Sequence, residues 1–160
     1  MLSLTIMNIA IKTINNAAEL RALNDLAAML KEHFNEAGLK SIEKDGHTGR
    51  RFGAYLADKL VGFIIYKEIN PEAVELAWMG VSTELHGKGI GTKLVEESLR
   101  EIGKSYKVCE VKTLSDTEEY EPYEKTRRFY KKLGFVPLET INPYPGWSDP
   151  CQIFVRFLAK

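Results

Sequence analysis

The segment "ELHGKGIGTKLVEE", residues 84–97, constrains this chain most. Gly87, Gly89 and Gly91 alternate with Lys88 and Ile90, between a hydrophobic run and a helical pattern. Glycine loses more backbone entropy on folding than any other residue, so this density marks a place where the main chain turns sharply or is approached closely. A strand, a glycine-rich turn and a helix N-terminus together make an anion site, because successive amides converge and the helix dipole favours negative charge there. Lys88, with Lys93 behind it, adds positive charge. On the loop alone, a tight turn without any ligand stays open.

Two familiar nucleotide loops do not fit. A Walker A loop needs a lysine followed by Ser or Thr after its last glycine, which is lacking here. A Rossmann fingerprint needs GxGxxG inside a parallel βαβ unit. Here the spacing is GxGxG, and the strands before it read as an antiparallel meander.

Periodicity gives the element order β, α, α, β, β, β, α, β, α, β, β. A first strand is expected over residues 6–14 and a helix over 16–30, with Ala17, Leu20, Leu23, Leu26, Ala27 and Leu30 on one face. A less regular helix is expected over 31–44, followed by turn chemistry at Asp45-Gly46-His47-Thr48-Gly49. Residues 51–57 and 60–69 read as a hairpin joined at Asp58-Lys59, and 73–81 as the strand entering the glycine loop. Ile90, Leu94, Val95, Leu99 and Ile102 mark the next helix, which Gly103 stops. A strand over 107–114, a helix over 122–133 with Gly134 after it, and strands over 135–140 and 152–158 complete the chain. With 160 residues and no linker or repeat, the whole of 1–160 is expected to form one mixed α/β domain.

Composition excludes some partners. Lys plus Arg and Asp plus Glu are 22 each, so no basic field points to nucleic acid or to an anionic membrane surface. No apolar run approaches the ~18 residues of a membrane span, and the N-terminus does not read as a signal peptide. Cys109 and Cys151 lie in no CxxC pair, and no His/Cys cluster has metal-ligand spacing, so no metal is expected. Two reduced thiols in a cytoplasmic protein are the expectation.

The loop resembles the cofactor loop of the GNAT N-acetyltransferase superfamily, (Gln/Arg)-x-x-Gly-x-(Gly/Ala). His86-Gly87-Lys88-Gly89-Ile90-Gly91 matches it, with His86 standing where Gln or Arg is usual. The strand "LAWMGVS" before it and the helix "TKLVEESL" after it also fit, as does "RRFYKKLGFVPL", residues 127–138. The resemblance spans the element order of nearly the whole chain and implies a mostly antiparallel central sheet flanked by helices.

The resemblance implies acetyl-CoA as co-substrate and a small-molecule or peptide amine as acceptor. The pyrophosphate is then expected on His86, Gly87, Lys88, Gly89, Ile90, Gly91 and Thr92. The pantetheine arm is expected on main-chain groups of Met79, Gly80 and Val81, where two parallel strands splay apart. Direct transfer to an amine has two proton problems. A lysine-like amine with pKa ~10.4 is mostly charged near neutrality and must lose a proton, and the departing thiolate must gain one. Tyr130, at the family's tyrosine position, is the implied donor to sulfur. Glu75, eleven residues before His86, is the implied base, acting directly or through water. Helical spacing alone reads Tyr130 as a core residue with Phe129 and Leu133, and a strand-edge role suffices for Glu75.

The chain departs from the family at Tyr123 and Thr126, where Asn and Ala are common one and two turns before the tyrosine. The acidic run Asp116–Glu124 would suit a helix N-terminus or attract a cationic acceptor, and Tyr144 and Trp147 are available to line an acceptor pocket. A non-catalytic acyl-CoA-binding or sensing domain is the alternative reading, and a dinucleotide enzyme is disfavoured by the loop spacing. A homodimer is compatible with the sequence.

Overall fold

In the computed structural model, residues 8–115 and 121–158 are described. The elements are β1 (Ile9–Thr13), α1 (Ala17–Met29), α2 (Glu36–Thr48), β2 (Arg50–Leu56), β3 (Lys59–Asn70), β4 (Ala73–Val81), a 3₁₀ turn (Thr83–Leu85), α3 (Ile90–Ile102), β5 (Val108–Leu114), α4 (Glu121–Lys132), β6 (Val136–Ile141) and β7 (Cys151–Phe157). Apart from the short 3₁₀ turn, this is the order read from periodicity.

Local chemistry sets the boundaries. Asn16 caps α1: its side chain accepts from the Glu19 amide at 2.8 Å, while Glu19 reaches back to the Asn15 amide at 3.0 Å. Each satisfies an amide that has no intrahelical carbonyl. Asn35 caps α2 in the same way, accepting from the Gly38 amide at 2.8 Å. This corrects the expected second helix, which starts later and runs through the turn assigned to residues 45–49. The reason is tertiary. Asp45 accepts from the Trp78 indole at 2.9 Å and pairs with Lys67 at 3.4 Å, and Gly46 packs under Leu20. The hairpin turn also moves by one residue. Ala57 and Asp58 both have positive φ, 49° and 65°, the mirror-image turn whose twist matches the flanking strands.

The seven strands form one sheet in the order β1-β2-β3-β4-β5-β7-β6. All pairings are antiparallel except β4 with β5. A parallel neighbour needs a crossover, and α3 supplies it. The sheet divides two apolar clusters. Ile90, Leu94, Val95, Leu99 and Ile102 of α3 and Leu133 after α4 pack on one face with Ile64, Val74 and Leu76. Leu23 and Leu26 of α1 and Ile42 of α2 pack on the other with Phe63 and Ile65. Most of β3 is therefore buried on both sides, which is why its run "LVGFIIY" is continuous rather than alternating.

Two irregularities place the site. Ala77 is an extra residue in β4, since Ile65 faces Trp78 while Tyr66 faces Leu76. The bulge turns both Leu76 and Met79 towards α3. The second is the short parallel pairing. β4 and β5 pair only at Ala73–Val108, Val74–Cys109 and Glu75–Glu110. Beyond Glu75, β4 leaves β5, and among the described residues its main-chain edge from Leu76 to Val81 pairs with no strand on that side.

Candidate active site

A cleft of about 640 Å³ opens where β4 parts from β5. That is within the ~300–1,000 Å³ range of small-molecule sites. Its walls are the end of β4, the glycine loop, the start of α3 and one side of α4, with His33 reaching in from the α1–α2 connection.

The glycine loop forms the floor. Gly87 and Gly89 have φ of 75° and 80°, the left-handed region that side chains with a Cβ rarely adopt. A Cβ on Gly87 would meet nothing within 4 Å, so that position faces open space. Gly89 is the N-cap of α3 and offers no side-chain cap. The first amides of α3 therefore present to the cleft without intrahelical acceptors. A phosphate fits such a site through main-chain donors and the helix dipole. The unpaired edge of β4 fits an amide-bearing arm in the same way, by extending the hydrogen bonding of a sheet edge. These residues suit coenzyme A.

His86 holds the loop to the strand. Its Nε2 lies 2.7 Å from the Val81 carbonyl oxygen, so Nε2 carries the proton and donates. Its ring centroid is 5.6 Å from that of His33. Both imidazoles line the cleft. His86→Ala should loosen this link and weaken coenzyme A binding about 3- to 10-fold, since one hydrogen bond contributes ~0.5–1.5 kcal/mol. Calorimetry on a variant with unchanged thermal stability checks this, and wild-type affinity would make the imidazole a bystander.

Tyr130 projects from α4 into the same cleft. Its ring is 6% exposed and sits edge-on to Phe129 and Phe135, with centroids 5.2 and 5.5 Å away. Burial, with a smaller contribution from Cys109, pushes its phenol well above the usual range. It therefore stays a neutral O–H donor at physiological pH. The core role that helical spacing suggests and a place in the cleft are both realised by this one side chain.

Glu75 lies elsewhere. It is on the opposite face of the sheet from α3 and α4, in the last β4–β5 pair, and pairs with Lys112 at 3.3 Å. It does not line the cleft, but stands in the last pair before β4 and β5 part. Tyr144 packs against Trp147 and lies under Lys112, with the ammonium 5.2 Å from the ring centroid.

Of the residues expected to hold the cofactor, Met79, Gly80, Val81, His86, Gly87, Gly89, Ile90, Gly91 and Thr92 line the cleft, and Lys88 does not. Lys93 is turned away, donating to the Ile9 carbonyl. His33, Leu85 and Lys125 also line the cleft and were not foreseen. Lys125 lies about one turn before Phe129, a spacing that could have flagged it. His33 carries no such signal. Thr126, singled out as a departure from the family, faces the cleft too. Residues 116–120 of the acidic run lie outside the described residues. Cys109 and Cys151 are buried free thiols, and burial pushes that of Cys109 up to about 12.

Among the described residues, no helix is long and apolar enough to cross a membrane. Among curated proteins, none matches the chain in sequence. Solved structures do match in fold. A GNAT-family structure from Desulfovibrio desulfuricans superposes with a TM-score of 0.81 at 15% identity, over 94% of this chain and 99% of that one. The aminoglycoside 6'-N-acetyltransferase from Enterococcus faecium gives 0.73 at 21% identity, over 96% and 98%. The Escherichia coli ribosomal-protein-S18-alanine N-acetyltransferase gives 0.70 at 17% identity, over 95% of each chain. The sequence model of the acetyltransferase (GNAT) domain matches residues 47–137, from the end of α2 to the start of β6. That stretch holds the parted strands, the glycine loop and Tyr130, and by that match the chain belongs to the GNAT acetyltransferase family.

Proposed function

We propose that this protein moves an acetyl group from acetyl-CoA directly to a primary amine. The observation that carries the reading is the cleft itself. It joins a left-handed glycine loop, an unpaired strand edge and a buried phenol where β4 parts from β5. Acetyl-CoA would supply the acetyl group as an activated thioester.

The chain's own residues would do the rest. Amides of Gly87 to Thr92 bind phosphate, and the β4 edge at Met79, Gly80 and Val81 aligns the arm. Tyr130 donates its phenolic proton to the departing sulfur as the carbon–sulfur bond breaks. Glu75 accepts a proton from the amine, directly or through water, as the new carbon–nitrogen bond forms. The Lys112 ammonium lies 3.3 Å from the Glu75 carboxylate and holds it in place.

By their names, the fold neighbours above act on an aminoglycoside and on an alanine of ribosomal protein S18. Both are amine acceptors, so a panel spanning aminoglycosides, polyamines and N-terminal peptides is the direct test. Free coenzyme A release with matching acetylated product supports the proposal. Coenzyme A binding without turnover on any amine would favour a binding or sensing domain instead.

A further inference from the structure

Outside the cleft, three largely buried charged side chains meet where β4 and β5 part. Glu75 and Glu110 face each other across β4 and β5 in the last register pair before the strands part. Lys112, two residues along β5 and on the same face, sits 3.3 Å from Glu75 and 3.7 Å from Glu110. The three side chains are only 18%, 23% and 22% exposed. The Tyr144 ring closes over the ammonium.

We infer that Lys112 is a positioning residue for acetyl transfer, its ammonium bridging Glu75 and Glu110 and holding the Glu75 carboxylate beside the opening. This rests on the reading of Glu75 as the base.

The physical argument is one of like charges. Two carboxylates brought together in a half-buried place cannot both ionise freely, and one retains its proton to higher pH. An ammonium between them removes that conflict. Glu110 already feels it. Burial and Glu75 raise its carboxyl, and Lys112 opposes them without cancelling them. Burial also works against the charge on Lys112, yet Tyr144, Glu75 and Glu110 outweigh it and hold the ammonium above its usual range. Lys112 therefore remains charged throughout the physiological range, and the bridge does not titrate away.

Among the described residues, the ion pairs of Glu75 and Glu110 are all made by Lys112. On β3, Lys67 faces Glu75 in register but is engaged with Asp45 of α2. On β7, Cys151 is a thiol that burial raises. Tyr144 is the group contributed by the loop before β7. Removing the Lys112 charge would leave the carboxylate pair uncompensated.

The test uses Lys112→Met, which keeps the aliphatic stem, and Lys112→Arg, which keeps the charge. Carboxyl titrations of Glu75 and Glu110 are followed by NMR on labelled full-length protein. Turnover is followed against pH with an amine that the wild type accepts. In Lys112→Met the coupled titration should move to higher pH, and the acid limb of kcat/KM should move with it. The loss should grow as pH falls, approach ~10-fold only on the acid side of the carboxyl's own titration, and vanish at alkaline pH, because a carboxyl that titrates about one pH higher is ionised about tenfold less on its acid side. Lys112→Arg should restore both. An unmoved NMR titration in folded Lys112→Met overturns the bridge. A moved titration with an unmoved acid limb overturns its catalytic use, and so does a uniform loss at every pH. If the wild type turns over no amine at all, the proposed activity fails instead, and the NMR titration still decides the bridge.

Discussion

Gly89→Val should weaken acetyl-CoA binding at least ~10-fold, about 1.4 kcal/mol, in a protein that still folds. Gly89 has φ of 80° and is the residue from which α3 departs. A β-branched residue is an outlier in that conformation. It would be relieved by rotating the peptide groups on either side, which are the groups that aim amides into the cleft. The loss therefore does not require the valine side chain to touch the ligand. Gly87→Ala supplies the comparison. Gly87 has φ of 75° with open space around it, so a methyl group there adds backbone strain of ~1–2 kcal/mol and little crowding. It should weaken binding less than Gly89→Val. Calorimetric titration with acetyl-CoA, beside thermal unfolding of each variant, measures both effects. Wild-type affinity in folded Gly89→Val would remove the loop from the cofactor site.

That loop was legible because its determinants are contiguous. Left-handed glycines, a helix N-terminus and a preceding strand lie within about twenty residues and need no knowledge of the tertiary fold. Tyr130 was legible through a local motif ending in Leu-Gly-Phe, where Gly134 takes a φ of 87° past the helix end. The β4 boundaries were read as they stand, because a bounded apolar run and a turn at Asn70-Pro71 define them.

What failed to show depends on distant pairing. Glu75 meets Lys112 and Glu110 only because β4 and β5 pair in parallel across an intervening helix, and no short-range pattern encodes that register. Glu75 was therefore readable as a candidate base but not as part of a three-charge bridge. His33 reaches the cleft because the α1–α2 connection folds over the end of β4, where Leu30 and Phe34 pack beside Gly80. Nothing in the residues around His33 announces that. The misread end of α2 has the same origin. Asp45 and Gly46 are turn-forming types, but contacts with Trp78, Lys67 and Leu20 outweigh local preference.

Tyr130→Phe should lower kcat within the ~10²–10⁴-fold range of general acid catalysis, or somewhat less where water partly replaces the donor. The substitution removes one hydroxyl and keeps the ring that packs against Phe129 and Phe135. Stability and acetyl-CoA affinity should then change little. A drop in kcat at nearly constant cofactor affinity marks an interaction made mainly in the transition state. The pH dependence adds a second criterion. Burial holds the phenol protonated well past its ordinary range, so its deprotonation should impose no alkaline loss between neutrality and about pH 9. An ordinary, solvated phenol is already about half deprotonated by pH ~10. A purely structural tyrosine predicts the reverse pattern, with lower thermal stability or no change and turnover retained. Measuring unfolding, affinity and turnover on the one variant separates these outcomes. Full turnover in Tyr130→Phe would leave water as the proton donor to sulfur, and the family's tyrosine position would serve packing alone in this chain.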